Sequence, residues 1–283
     1  MKLKVNTVPL AILRFRKVVW AYYKKYGRHN LPWRKTKDPY RILVSEVMLQ
    51  QTQVERVIPF YTKFIKKFPT PKKLAAATLS DVLKSWQGLG YNRRAKFLQM
   101  AAKKLAETRF DLTSESSRSN LVSQLETLPG VGPYTARAVA AFAWNESVVF
   151  VETNIRTAMI HHFFSDKKEV PDSGIEEILY EALPKGKARE WYSALMDYGA
   201  SLKRSGVSHN TRSKKYVKQS KFTGSLREAR GAILRELARG GASPTRLTDL
   251  LGAERRAQMR TALRALFTEG LVKKIEQNYA LAD

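Results

Sequence analysis

Residues 128–156, LPGVGPYTARAVAAFAWNESVVFVETNIR, constrain the fold more than any other stretch of the chain. Gly130 and Gly132 flank Val131 in a turn, Pro133 follows, and residues 135–143 form a run of mostly small side chains. A glycine turn brings bare backbone N–H groups close to a ligand, and the N-terminus of a following helix adds a favourable dipole, so the pair suits a phosphate. The stretch closes on an acid, Glu152, set beside Val148, Val149, Phe150 and Val151. An acid there is placed to face whatever the backbone grip positions. A lone Gly-x-Gly also serves any helix–helix turn, so the rest of the chain has to decide.

Charge narrows the choice. The 283 residues hold 51 Lys and Arg against 25 Asp and Glu, a formal net charge of +26. Each lysine or arginine that neutralises a phosphate releases condensed counterions, so this balance implies a polyanionic partner. The plainer alternative is a basic proteome. The sequence has no cysteine, which excludes disulfides, thiol nucleophiles and cysteine-ligated zinc or iron–sulfur clusters. Only four histidines remain, and His161 and His162 are adjacent, so they point apart on a helix. No metal and no cofactor is expected. Pro9 and several charges interrupt the first twenty residues, which leaves no membrane span and no clean leader. The expectation is a soluble cytoplasmic protein, free of any membrane.

Helical periodicity dominates the first 203 residues. Helices are predicted at 10–26 and from Pro39 through Leu49. Another is predicted at 61–68, with Pro59 in its first turn. Further ones follow from Lys72, at 81–86 with Ser80 as N-cap, at 93–107 and at 121–126. The last four are predicted at 133–143, 154–164, 173–182 and 187–203. Strand signals are scarce before residue 270, so the class is all-α. Residues 201–230 differ, with nine Lys or Arg, one acid and few apolar side chains, and read as a basic arm. Beyond it, helices at 226–239, 243–251 and 254–268 precede strands at 271–275 and 278–281. Three helices and a hairpin describe a winged helix, whose reading helix would carry Arg255, Arg256 and Arg260. The segments expected are 1–29, 30–140, 141–203, an arm at 204–225 and the winged helix at 226–283.

Two acids stand out chemically. Glu46 lies inside the apolar run 42–49. With Gln50 and Gln53 at i+4 and i+7 it forms a solvated polar stripe; buried instead, it acquires the raised pKa that a general acid needs. Glu152 either borders a helix N-cap made by Thr153 or Asn154, or works on a ligand. Two carboxyls suit cleavage of an N-glycosidic bond, one protonating the departing base and the other facing an oxocarbenium-like sugar. Removing a base from a duplex also requires flipping it, with a wedge and a lined pocket.

The segments LPWR (31–34), SEVMLQQTQ (45–53), GLGY (88–91), LPGVGPYTA (128–136) and MDYGA (196–200) occur in order. Together they closely resemble the helix-hairpin-helix DNA glycosylase superfamily, in particular the MutY-type adenine DNA glycosylases, over residues 8–203. The resemblance implies a fold of two helical lobes and a partner in double-stranded DNA with a mispaired or damaged base. It also implies a monomer associated with the nucleoid. Glu46 matches the family's general acid, Glu152 the carboxylate that stabilises the oxocarbenium ion, and Asn154 the asparagine near the water and sugar. Tyr134 occupies the place of the Schiff-base lysine of the bifunctional endonuclease III type, which implies base removal without strand cleavage. Arg34, Trp33 and Leu49 match the base pocket, and Gln51 and Tyr91 the wedge. Gly130, Val131, Gly132 and Thr135 match the phosphate-holding hairpin. Adenine opposite 8-oxoguanine or guanine is the implied substrate. Thymine or uracil opposite guanine, hypoxanthine, and a non-catalytic lesion binder are the alternatives.

Four departures accompany the match. Glu replaces the family Asp at 152. Lys203 stands where the first iron–sulfur cysteine would be, and a basic arm with Lys214, Lys215 and Lys218 takes the place of the cluster loop as a DNA contact. Asn92 replaces a common second tyrosine. The C-terminal pattern is that of a winged helix and lacks the family's nudix-like domain.

Overall fold

The helices begin and end where local chemistry allows. A computed structural model describes residues 8–107, 120–207, 212 and 221–283. In the first helix, α1 (Val8–Tyr26), Ile12, Phe15, Val19 and Tyr23 are buried at helical spacing. Then come a 3-10 turn at Pro32–Arg34 and α2 (Pro39–Leu49). The series continues with α3 (Val54–Lys67), α4 (Pro71–Ala75), α5 (Leu79–Trp86), α6 (Arg93–Glu107) and α7 (Leu121–Glu126). After these come α8 (Pro133–Trp144), α9 (Thr153–Phe163), α10 (Asp172–Ala182) and α11 (Ala188–Arg204). Close to the C-terminus lie α12 (Leu226–Leu237), α13 (Pro244–Asp249) and α14 (Arg256–Thr268). An antiparallel hairpin ends the chain, β1 (Val272–Ile275) with β2 (Asn278–Leu281), in which Val272 pairs with Leu281. None of the described helices is long and apolar enough to cross a membrane.

Two local expectations need correcting. Pro59 lies inside α3, which starts at Val54. Proline there loses one helical hydrogen bond, and burial of Val57, Tyr61 and Phe64 on one face outweighs it. The cap of α5 is Thr78, not Ser80: Thr78 Oγ1 accepts from the Asp81 N–H at 3.1 Å. Its hydroxyl donates back to Asp81 Oδ2 at 3.2 Å. A reciprocal pair satisfies the helix end better than Ser80 alone.

The chain gathers into two compact units that interleave along the sequence, unlike the five consecutive segments expected. One unit holds 1–43 and 132–218, the other 44–131 and 219–283. In the first, α11 lies at the centre with Trp191, Tyr192, Ala194 and Leu195 buried, packed against α1 and α9. Phe150 stacks on Tyr192 with ring centroids 4.0 Å apart, and the Tyr192 hydroxyl donates to the Val148 carbonyl at 2.6 Å.

One ion cluster ties α11 to the N-terminal segment. Asp197 is 2% exposed. Arg34 grips it through both guanidinium nitrogens, at 2.6 and 3.0 Å. Arg28 adds its backbone N–H at 2.7 Å and its Nε at 2.6 Å. The LPWR and MDYGA segments, 162 residues apart in sequence from Arg34 to Met196, meet through these bonds.

In the second unit, α12, α13 and α14 with the hairpin dock on the helical segment that precedes them. Lys96 Nζ donates to the Glu269 carbonyl at 2.6 Å, satisfying the C-terminus of α14. Gln87 Nε2 donates to the Leu234 carbonyl at 3.2 Å. Two of the three arginines expected to read DNA are engaged inside the module. Arg255 pairs with Glu228 at 2.8 Å and Arg256 with Asp249 at 2.5 Å; Arg260 is exposed.

Burial pushes the Asp197 carboxyl up, but hydrogen bonds and charge from Arg34 and Arg28 overcome it and leave it below the usual carboxylate range. The stabilisation is therefore complete above the unfolded aspartate pKa and is lost as pH falls through the lowered folded value. Asp197→Asn should cost about 3 kcal/mol in denaturant unfolding at neutral pH, since it strands two guanidinium groups. It should also flatten stability against pH in the acid range.

Candidate active site

One of the two candidate acids lies where α9 begins. Glu152 is the N-cap residue, and its Oε1 accepts from the backbone N–H groups of Asn154 at 2.6 Å and Ile155 at 2.8 Å. The cap is therefore Glu152 itself and neither Thr153 nor Asn154, because its longer side chain folds back over the first turn. Glu152 Oε2 accepts from Asn154 Nδ2 at 3.3 Å. Desolvation raises the carboxyl above its usual value, while the two N–H bonds, then Lys203 and Arg156, oppose the rise. Asn154 Oδ1 accepts from Lys203 Nζ at 2.8 Å.

Close packing fixes this geometry. A Cβ on Gly199 would lie 2.0 Å from the Asn154 carbonyl oxygen. Only glycine lets α11 approach α9 so closely, and that explains the glycine of MDYGA. Tyr134, in the first turn of α8, packs edge-on against Phe150 with centroids 5.7 Å apart. Thr135 beside it is buried at 3% exposure.

The other acid sits in the second unit. Glu46 is 6% exposed on α2 among Val44, Val47 and Met48, which are also buried. The polar-stripe alternative does not hold, because α2 stops at Leu49 and Gln53 belongs to the N-cap of α3. Gln51 and Tyr91 both adopt left-handed backbone, at φ 55° and 48°. Such conformations are costly for non-glycine residues and persist where the surroundings enforce them.

Arg94 does the enforcing. One guanidinium nitrogen donates to the carbonyls of Val47, Met48 and Gln50 at 2.8, 3.0 and 2.5 Å. The other reaches Thr52 Oγ1 at 3.3 Å and the Gly90 carbonyl at 3.1 Å. It thus joins the open C-terminal carbonyls of α2 to the GLGY turn. Burial pulls its pKa down to about 10, still charged at neutral pH. Two guanidinium groups, those of Arg94 and Arg227, each lie 5.4 Å from the Tyr91 ring centre. A cavity of about 510 Å³ opens here, lined by Gln50, Gln51, Tyr91, Gly130, Arg227 and Arg230 among others.

In the hairpin, Val131 is buried, and its N–H donates to the Leu128 carbonyl at 3.1 Å. Gly130 has φ 76°, and a Cβ there would meet Phe97 Cβ at 2.6 Å. Gly132 differs: it caps α8 with φ −93°, and a Cβ would meet nothing within 4 Å. Gly130 is thus required by the fold, whereas Gly132 is open toward the outside.

Of the expected base-pocket residues, Trp33 is buried and Leu49, the last residue of α2, is half-buried. Arg34, expected in the base pocket, bonds Asp197 and the carbonyls of Arg28 and Ser193 through its two terminal nitrogens. Lys214, Lys215 and Lys218 lie outside the described residues. Asp197, Gly199 and Arg94 acquire roles that sequence reasoning did not assign. The first two sit in MDYGA and the third in the GYNRR run, but spacing alone does not reveal which distant groups they meet.

A family model described as "HhH-GPD superfamily base excision DNA repair protein" matches residues 44–185, about half of the chain. The chain belongs to this superfamily. Among its curated relatives is an adenine DNA glycosylase of Mycolicibacterium smegmatis, 36% identical over 280 residues, covering 91% of this chain and 92% of that protein. An adenine DNA glycosylase of Mycobacterium tuberculosis is 39% identical over 188 residues, 64% of this chain and 59% of that protein. One from Buchnera aphidicola is 34% identical over 197 residues, 68% of this chain and 54% of that protein, so the chain spans little more than half of these two relatives. Among solved structures, a thermostable thymine-DNA glycosylase is similar with a TM-score of 0.57 and 26% identity, over 68% of this chain and 87% of that one. Endonuclease III in a trapped covalent complex with DNA shares the fold, with a TM-score of 0.53 at 18% identity over 69% of this chain and 85% of that one. The chain has no cysteine, so its residues do not fit an iron–sulfur cluster.

The two hairpin glycines separate cleanly in a stability measurement. Gly130→Ala should lower unfolding free energy by more than about 1 kcal/mol, through both φ and Phe97. Gly132→Ala should stay within about 0.5 kcal/mol of the parent.

Proposed function

We propose that the protein is a monofunctional adenine DNA glycosylase of base excision repair, acting on adenine opposite 8-oxoguanine or guanine. The observation that carries this reading is Glu46, an acid buried at 6% exposure beside Val44, Val47 and Met48 in a chain similar to adenine DNA glycosylases along most of its length. Buried acids persist when paired or functional.

In this reading Glu46 protonates the departing adenine as the C–N bond breaks, so the base leaves with the bonding electrons and a proton. The sugar carbon becomes cationic, and the Glu152 carboxylate faces that charge. Water held near Asn154 adds to the sugar carbon and gives its proton to solvent, from which the Glu46 carboxylate is reprotonated. Tyr134 offers no amine for a Schiff base, so the strand stays intact. Gln51 and Tyr91 enter the base stack, and the strained backbone that presents them fits a wedge. Gly132 and the N-terminus of α8 hold a phosphate. Trp33 and Leu49 stay with the base. The α12–α14 and hairpin module serves as a winged helix, set against the wedge through Arg227. The basic arm with Lys214, Lys215 and Lys218 adds charge to the DNA grip. A second reading, release of another base, draws on Glu152, whose carboxylate stands one methylene beyond the family aspartate.

A panel of duplexes carrying A:8-oxoguanine, A:G, T:G, U:G and hypoxanthine decides between them. Adenine release from the first two, with strand breakage only after alkali, is expected. Binding to every duplex with no abasic product would remove the enzyme reading, and breakage without alkali would remove the monofunctional one. Glu46→Gln should abolish release and leave duplex affinity within about threefold, a change under 1 kcal/mol. Glu152→Gln keeps an oxygen for the Asn154 and Ile155 N–H groups, so it should fold normally and lose at least about 100-fold in single-turnover rate.

A further inference from the structure

Lys203 takes no part in the chemistry above, yet it touches the group that does. It lies in the last turn of α11, and its Nζ donates to Asn154 Oδ1 at 2.8 Å. Asn154 donates in turn to Glu152 Oε2, while Glu152 Oε1 accepts the two backbone N–H groups. Ammonium, amide and carboxylate form one line across α11 and α9. An ammonium has three donors and no acceptor, so it can only face the oxygen of an amide. That fixes the Asn154 NH₂ toward Glu152. Gly199, one turn earlier, brings α11 against the Asn154 backbone as well.

We infer that Lys203 is a positioning residue for the Glu152 carboxylate, fixing the Asn154 amide that bonds it and setting a positive charge beside it. The inference rests on the glycosylase reading. Among the described residues, two cations act on Glu152: Lys203 from α11 and Arg156 from α9. Arg156 is itself paired with Asp172 of α10 at 2.9 Å, which leaves Lys203 as the larger opposing influence on the carboxyl after the N–H bonds. The influence is mutual: burial pushes the Lys203 amine down, and Glu152 holds it up. An ordinary α9–α11 tether would need neither a cation nor a donor-only group.

The test follows single-turnover base release from an A:8-oxoguanine duplex across pH, beside direct carboxyl NMR titration of Glu152 in protein labelled at glutamate. An ionised Glu152 is required, so the rate falls as pH drops through its pKa. Lys203→Met should fold and bind the duplex, lose about 10- to 100-fold at neutral pH, and carry its acid limb to higher pH. Lys203→Arg should return the limb toward the parent position, and Lys203→Gln, which donates without charge, should leave it displaced. A parental limb and an unmoved Glu152 titration in Lys203→Met would overturn the inference. If Lys203→Met does not fold, a parental limb in Lys203→Gln overturns the role assigned to charge, and a displaced one supports it. If the parent protein releases no base, the glycosylase reading fails by itself, and the Glu152 titration still decides whether Lys203 controls that carboxyl.

Discussion

The Asp197 cluster is the interaction on which the first unit depends. A carboxylate at 2% exposure survives only with full hydrogen bonding, because isolated buried charge is costly to desolvate. Arg34 and Arg28 provide that bonding from a segment far away in sequence. The clamp holds α11 in register, and register places Gly199 against the Asn154 carbonyl and Lys203 against the Asn154 amide. Glu152 then inherits its position from Asn154 and Ile155. A structural ion cluster thus sets the geometry of a carboxylate that it never touches.

The second unit solves a comparable problem with one arginine. The C-terminal carbonyls of α2 need donors, and the left-handed Gln51 and Tyr91 need a backbone that other conformations would relax. Arg94 meets both needs by bonding α2 carbonyls and the GLGY turn together. Glu46 lies three residues from the end of the same helix, so the acid, Gln51 and Tyr91 share one support. Docking of α12–α14 through Lys96 and Gln87 brings Arg227 against the Tyr91 ring as well.

Much of the fold was legible because helical periodicity, proline and glycine act locally. The bounds of α8, α9, α10 and α11 fall within a residue or so of the sequence expectation. Misreadings came where neighbours outweighed local preference. Pro59 is carried inside α3 by burial of Val57, Tyr61 and Phe64, and the α5 cap moved to Thr78 because Asp81 answers it. Arg34 was legible as part of a motif, but its partner was not.

By itself the sequence determined the helical class, the lack of any thiol or cysteine ligand, and the positive charge. These follow from composition and short-range periodicity. Tertiary structure decided that the chain interleaves into two units, that Glu46 is buried instead of lying on a polar stripe, and that Glu152 caps α9 while Lys203 reaches it through Asn154. Those outcomes depend on desolvation and on hydrogen bonds between residues far apart in sequence, and neither is encoded in any local window of the chain.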